Sequence, residues 1–129
     1  KGFVMEFIHA PKACASVGPY SHCVKAGSTY YLCGQVPFHP VTGEVVGNGM
    51  KEQAVQTLAN MKAVLEAAGL AVTDIAKTTV FVTNMDDFAA FNEVYAAFMG
   101  EHRPARVCVE VSNIAHGCLL EMDAICFKE

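Results

Sequence analysis

The stretch Pro104-Ala105-Arg106-Val107-Cys108-Val109-Glu110-Val111 reads as a β-strand with two unlike faces. Successive strand side chains alternate sides, so Val107, Val109 and Val111 share one face and Arg106, Cys108 and Glu110 the other. The valine face is expected to meet the core. The opposite face presents a guanidinium, whose planar fork of donors suits a carboxylate better than any other side chain does. Arg106 is therefore a candidate anchor for a small anionic ligand. A structural ion pair with Glu110 or another acid is the competing reading, and this segment alone leaves both open.

Downstream, residues 118–127 alternate again. Leu120, Met122, Ala124 and Cys126 form one face, opposed by Leu119, Glu121, Asp123, Ile125 and Phe127. Upstream, a β-branched strand is expected over 75–83. Between the two, Phe88, Phe91, Val94 or Tyr95, and Phe98 make a helical stripe, with Asp86 or Asp87 as its cap and Gly100 as its end. A longer helix is marked by Ala54, Leu58, Met61, Leu65 and Ala68, with Asn48 as the expected N-cap and Gly69 as the left-handed stop. Nearer the start, strands are expected over 2–8, 21–26 and 29–36, with turns at Gly27-Ser28 and His39–Gly43. Met5 is a candidate natural start, which would make residues 1–4 an extension.

A chain of 129 residues has room for one domain with a real core, taken here as residues 1–129. No linker or repeat divides it. Two striped helices can cover one face of a single mixed sheet. The other face would then carry Arg106, Glu110, Glu121 and Asp123 among apolar residues. With 53% hydrophobic and 17% charged residues, the chain is apolar for a monomer, and a buried subunit interface accounts for the surplus. No apolar run approaches the roughly 18 residues that a membrane-spanning helix needs.

A net charge of -4 with scattered basic residues argues against nucleic acid as a partner. The six cysteines, Cys14, Cys23, Cys33, Cys108, Cys118 and Cys126, lack close-pair metal spacing, and no metal site is expected. Several sit in apolar strand patterns, where free thiols behave as small hydrophobes. With no signal peptide visible, a cytoplasmic location is expected, an organelle such as the mitochondrion staying open. The glycines match no phosphate-binding spacing, so no nucleotide cofactor is expected.

Arg106 and Glu121 are the favoured pair. Were the last two strands neighbours, the carboxylate would lie within reach of a ligand on the arginine. A glutamate in a partly closed pocket has its pKa raised and can serve as acid or base. The rival reading is that Glu121 merely neutralises Arg106. Cys108 shares the Arg106 face but lacks a Cys/His motif, which favours pocket lining over nucleophilic attack. Tyr20 offers a phenol from a loop, Gly34 permits close approach of a ligand to the backbone after Cys33, and Asn92 lies on the second helix. His22 and His116 are read as surface or loop histidines.

Several motifs, in order and spacing, resemble the reactive intermediate deaminase family, RidA/YjgF. They are Gly18-Pro19-Tyr20-Ser21, Gly34-Gln35, Pro40-Val41-Thr42-Gly43, Gln53 with Asn60, Asn92-Glu93-Val94-Tyr95, Pro104-Ala105-Arg106 and Glu121. The resemblance covers essentially the whole chain beyond about residue 8. It implies an α+β, chorismate mutase-like fold: a six-stranded mixed sheet backed by two helices, assembled as a homotrimer with clefts between subunits. It implies hydrolysis of 2-imino acids, such as 2-iminobutanoate and 2-iminopropanoate, to 2-keto acids and ammonia without cofactor or metal. Removal of such imines, released by PLP-dependent dehydratases, protects other PLP enzymes from damage.

By the same resemblance Arg106 grips the substrate carboxylate and Glu121 positions the attacking water. Tyr20, Gly34 and Cys108 match pocket positions, Gly34 and Cys108 through backbone groups, and Cys33 and Asn92 complete the expected substrate-binding set. Three departures stand out. Cys33 stands where serine is commoner, His39 replaces the usual aspartate before Pro40, and Ala115-His116 occupies a loop that usually contains proline. Two other functions remain to be weighed: a ribonuclease or translation inhibitor, and a non-catalytic carboxylate-binding or chaperone-like module.

Overall fold

The computed structural model describes residues 4–129, so the part of the expected first strand at residues 2 and 3 lies outside the described residues. The chain runs β1 (Met5–Ile8), β2 (Cys23–Ala26), β3 (Thr29–Gln35), α1 (Met50–Ala67), β4 (Ile75–Val82), α2 (Phe88–Met99), β5 (Ala105–Glu110) and β6 (Leu120–Phe127). The strands form one sheet in the order β1-β2-β3-β6-β4-β5. Only the β4–β5 pair is parallel, and α2 makes the crossover that such a pair requires. The architecture is α+β, a mixed six-stranded sheet with both helices on one face.

That face is the core. Met61, Val64 and Leu65 of α1 and Phe91 of α2 are buried with Val80, Val82, Leu120, Met122 and Cys126 in one continuous cluster. The alternation read in β6 is what the structure shows, with Leu120, Met122, Ala124 and Cys126 all inside. Each large side chain fully withdrawn from water contributes about 1.5–3 kcal/mol.

Helix α1 begins after Gly49, which caps without a side chain, and not at Asn48. It ends as expected, because Gly69 takes a positive φ of 74°. That conformation lets the Gly69 N–H reach Glu66 O at 3.0 Å and the Leu70 N–H reach Leu65 O at 2.8 Å. Asp87 sits at the start of α2 but makes no capping bond; Asn84 caps the preceding short turn instead, accepting from the Asp86 N–H at 2.9 Å.

The reading of β5 is corrected. Its valines do not face the core: Val107 and Val109 are 43% and 41% exposed. In register, Arg106 lies beside Thr78 and Cys108 beside Val80, both buried on the helix side. Arg106, Cys108 and Glu110 are therefore on the helix face, whereas Glu121 and Asp123 are on the open one. Local pattern could not choose, because cysteine and valine both suit a core and the choice was made by α2. The open face carries a broad apolar surface that includes Phe7, Tyr31, Val107, Val109 and Phe127, each 41–69% exposed in the single chain. Among the described residues, no helix is long and apolar enough to cross a membrane.

Candidate active site

Arg106 projects from β5 against about two turns of α2. Phe88, Asn92 and Tyr95 recur at four- and three-residue steps, so they share a helix face. The guanidinium carbon lies 5.3 Å from the Phe88 ring centre and 4.8 Å from that of Tyr95. Arg106 Nη1 donates to Asn92 Oδ1 at 2.8 Å. Tyr95 is itself fixed by a 2.7 Å hydrogen bond between its hydroxyl and Thr78 Oγ1. The aromatic stripe of α2 thus doubles as a platform that holds the guanidinium in one orientation. One N–H of five goes to Asn92, and the other four have no hydrogen-bond acceptor among the described residues.

No carboxylate lies within ion-pair distance of Arg106 among the described residues. Glu110, the nearest rival in sequence, instead accepts the Met85 N–H at 2.8 Å. Arg106 lines a hollow of about 360 Å³ with Asn92, Tyr95, Ala96, Arg103 and Pro104. The sequence reading of Arg106 as an available anion anchor fits this geometry, and the internal ion pair does not.

Glu121 stands elsewhere. Strands β5 and β6 are not neighbours, since β4 lies between them. Arg106 is level with Thr78 and Glu121 with Phe81, three residues along β4 and hence on the opposite face. Within one chain the expected pair is not brought together, nor does either neutralise the other.

Glu121 lines a second hollow, of about 340 Å³, with Tyr20, Cys33, Gly34, Gln35, Val36 and Phe38 among its walls. The β3–β6 register shifts between Leu32 and Gln35, and this irregularity puts Gly34 beneath the Glu121 side chain. Burial, and secondarily the negative charge of Asp123, push the Glu121 carboxyl above its ordinary range. A carboxylate so placed is a stronger base than a solvated one. Tyr20 is half-exposed, its hydroxyl accepting from the Val17 N–H at 3.4 Å.

The remaining predicted residues divide between these places. Asn92 belongs with Arg106; Tyr20, Cys33 and Gly34 belong with Glu121. Cys108 lines neither hollow and packs against the helix-side core. Its thiol is pushed up by burial, with partial relief from Arg106, and so is not an activated nucleophile. Burial likewise raises the Cys33 thiol, which accepts from Gln35 Nε2 at 3.1 Å. Among the described residues no three potential metal ligands converge.

Residues outside the predicted site set shape its walls, one of them, His22, against the sequence reading. His22 is 2% exposed, not a surface histidine. Its Nδ1 accepts the Ala10 N–H at 2.9 Å, which makes Nε2 the donor to Cys14 O at 2.8 Å, and together they tie the 10–14 loop to the rim of the Glu121 hollow. No local pattern signals that. Asn60 Nδ2 donates to Val36 O and Phe38 O at 2.9 and 2.8 Å, fixing the opposite wall from α1. Gln53 does similar work, donating to Gly47 O and accepting from the Leu119 N–H. His39 Nδ1 accepts the Val41 and Thr42 N–H groups at 3.1 and 3.2 Å, the task an aspartate would perform in that turn.

Comparison with known proteins agrees with this architecture. A family model described as endoribonuclease L-PSP matches residues 9–128. A RutC family protein of Pyrococcus horikoshii is 48% identical over 124 residues, covering 96% of this chain and 98% of the relative. A 2-iminobutanoate/2-iminopropanoate deaminase of Escherichia coli is 45% identical over 124 residues, covering 94% and 96% respectively. The crystal structure of E. coli TdcF with bound serine superposes with a TM-score of 0.91 at 41% identity, covering 96% of this chain and 99% of that one. The chain belongs to the endoribonuclease L-PSP family, also called RidA/YjgF.

Proposed function

We propose that the protein hydrolyses small 2-imino acids to 2-keto acids and ammonium, at a site shared between subunits of a homotrimer. The observation that carries this reading is the division of the site. A guanidinium without an acid partner among the described residues and a carboxylate of raised pKa lie on opposite faces of one sheet, each in its own half-hollow. Strand β5 is outermost, so its free edge and its exposed valines are available to a second copy. Docking that edge against a neighbour's open face would bring Arg106 of one subunit to Glu121 of another, and would cover the apolar surface. A relative of 45% identity named as a 2-iminobutanoate/2-iminopropanoate deaminase supports the chemistry.

In this reading Arg106 binds the carboxylate with two parallel N–H donors, orienting the imine. Water attacks C2 of the protonated imine as ionised Glu121 takes a proton from it, forming the C–O bond and moving the C=N π electrons to nitrogen. The protonated Glu121 then returns its proton to the amine nitrogen. Ammonia leaves as the carbonyl forms, the hydroxyl proton ending on ammonia as ammonium. Tyr20 lines the same cavity as a hydrogen-bonding phenol, and the backbone at Gly34 supplies a further ligand contact. Loss of the imine protects PLP enzymes from a reactive metabolite, and the compartment proposed is the cytoplasm.

Ammonia release from freshly generated 2-iminobutanoate, compared with the spontaneous rate, tests the activity. No acceleration by the pure protein would end this reading. The family description offers ribonuclease as a second reading, against which stands an excess of acidic over basic residues, thirteen to nine.

A further inference from the structure

Arg103 has no place in the reaction above, yet it lines the same hollow as Arg106. Its Nη1 donates to Gly100 O at 2.6 Å and to His102 O at 2.9 Å, closing the turn that follows α2. Those bonds fix the plane of the guanidinium while Nε and Nη2 stay uncommitted among the described residues. Neither arginine has a carboxylate within ion-pair distance among those residues. Two like charges on one concavity repel each other, and an anion relieves that repulsion. Three residues of chain separate their Cα atoms by at most about 10 Å, and both side chains line one small concavity.

We infer that Arg103 is a second anion-binding group, so that the hollow takes a small dicarboxylate with one carboxylate on each guanidinium. The substrates then include 2-imino acids with an acidic side chain, the class formed from dicarboxylic amino acids, and the products are 2-keto diacids. This rests on the carboxylate-anchoring role proposed for Arg106. Arg103 is a specificity residue here: it touches the far end of the ligand and not the reacting carbon.

Calorimetric titration of the intact protein with 2-oxobutanoate and with 2-oxoglutarate, at low ionic strength, tests the inference independently of turnover. The diacid is expected to bind about fivefold or more tightly than the monoacid, an advantage kept modest by the exposure of Arg103. The advantage should shrink as salt is added. Arg103→Gln should bring the two acids to parity by weakening the diacid alone, and Arg103→Lys should keep part of the preference. Thermal unfolding of both variants checks that the turn closed by Arg103 survives.

Equal affinities in the wild type, or a parallel loss of both acids in Arg103→Gln, would overturn the inference. So would a diacid preference that survives Arg103→Gln. Failure of the underlying reading looks different. In that case Arg106→Ala would leave 2-oxobutanoate binding intact, whatever Arg103→Gln did to the diacid.

Discussion

The Glu121 carboxylate occupies the space a side chain on residue 34 would need. A Cβ built on Gly34 would sit 2.9 Å from the Glu121 carboxyl carbon and would overlap one of its oxygens. Gly34 is required here by contact and not by a left-handed backbone, since the irregular β3–β6 register leaves room beside Glu121 for backbone alone. Gly34→Ala must therefore displace the carboxylate. Because the obstructing atoms are the end of a flexible side chain, we expect a small cost in urea unfolding, below about 1 kcal/mol, and a larger effect on turnover as the base is moved. In a Glu121→Ala background, where the obstructing group is gone, the same change should cost far less. An equal cost in both backgrounds would show that Gly34 answers to something else.

The raised pKa of Glu121 fixes the sign of two pH effects. As a base it must be ionised, so turnover should fall as pH drops through a value above the ordinary carboxylate range. Glu121→Gln should slow turnover more than it weakens binding of 2-oxobutanoate, and its rate relative to wild type should lose that acid limb. For stability the direction reverses. A carboxyl whose folded pKa lies above its unfolded one stabilises below the unfolded pKa, and that contribution is lost as pH rises through the folded value. At neutral pH Glu121→Gln should thus be more stable than wild type in urea unfolding, by at most about 1 kcal/mol after allowing for its partial exposure. The difference should vanish below the unfolded pKa. A variant that is less stable at pH 7 would contradict this.

Arg106 is held by contacts that lysine reproduces only in part: close approach of the guanidinium to the Phe88 and Tyr95 rings and a directed bond to Asn92. Arg106→Ala should lower kcat/KM by on the order of 10²- to 10³-fold while leaving the melting temperature and oligomeric state in place. Arg106→Lys should recover only a small part of that loss. Turnover of Arg106→Ala close to wild type would remove the arginine from the site.

These cases show which parts of the molecule can be read locally. The alternation in β6 and the stripe of α1 are periodicities within one element, and both led to the correct buried face. The strand order is different, because nothing in residues 105–127 reveals that β4 inserts between β5 and β6. Nor could alternation tell which face of β5 is inside when valine and cysteine oppose each other. That choice lies with Phe88 and Tyr95, an element away. Arg106, Glu121 and Gly34 were legible from residue type and motif, but their division into two hollows follows from topology. His22 and Asn60 act through loop backbone 8 to 24 residues distant, which no local pattern encodes.

Asn60 offers a test of such remote support. It is 2% exposed and supplies the donors for two carbonyls, Val36 O and Phe38 O, while its own oxygen accepts from Gln56 at 3.0 Å. Replacing it with leucine keeps similar bulk but strands both carbonyls in a poorly solvated place. The expected cost is about 2–4 kcal/mol. Because Val36 and Phe38 wall the Glu121 hollow, KM should rise as well. A loss in stability with unchanged KM would confine Asn60 to a structural role.

The division of the site between two faces can be tested by mixing subunits. In a trimer whose active sites each join Arg106 of one copy to Glu121 of the next, Arg106→Ala and Glu121→Gln damage different halves. When both variants are co-expressed in equal amounts, each interface draws one half from each of two copies at random. About one site in four should then carry both native halves, so activity should return to roughly a quarter of wild type although each parent is nearly inactive. A site contained within one subunit predicts the opposite, since every copy is defective and mixing restores nothing. The same experiment with Val107→Glu added to both chains places a charge on the exposed valine face of β5, where it would be buried without a partner in the assembly. That change should dissociate the oligomer in sedimentation and abolish the recovered activity together. Recovered activity that persists after dissociation would show that it does not come from a site assembled between subunits.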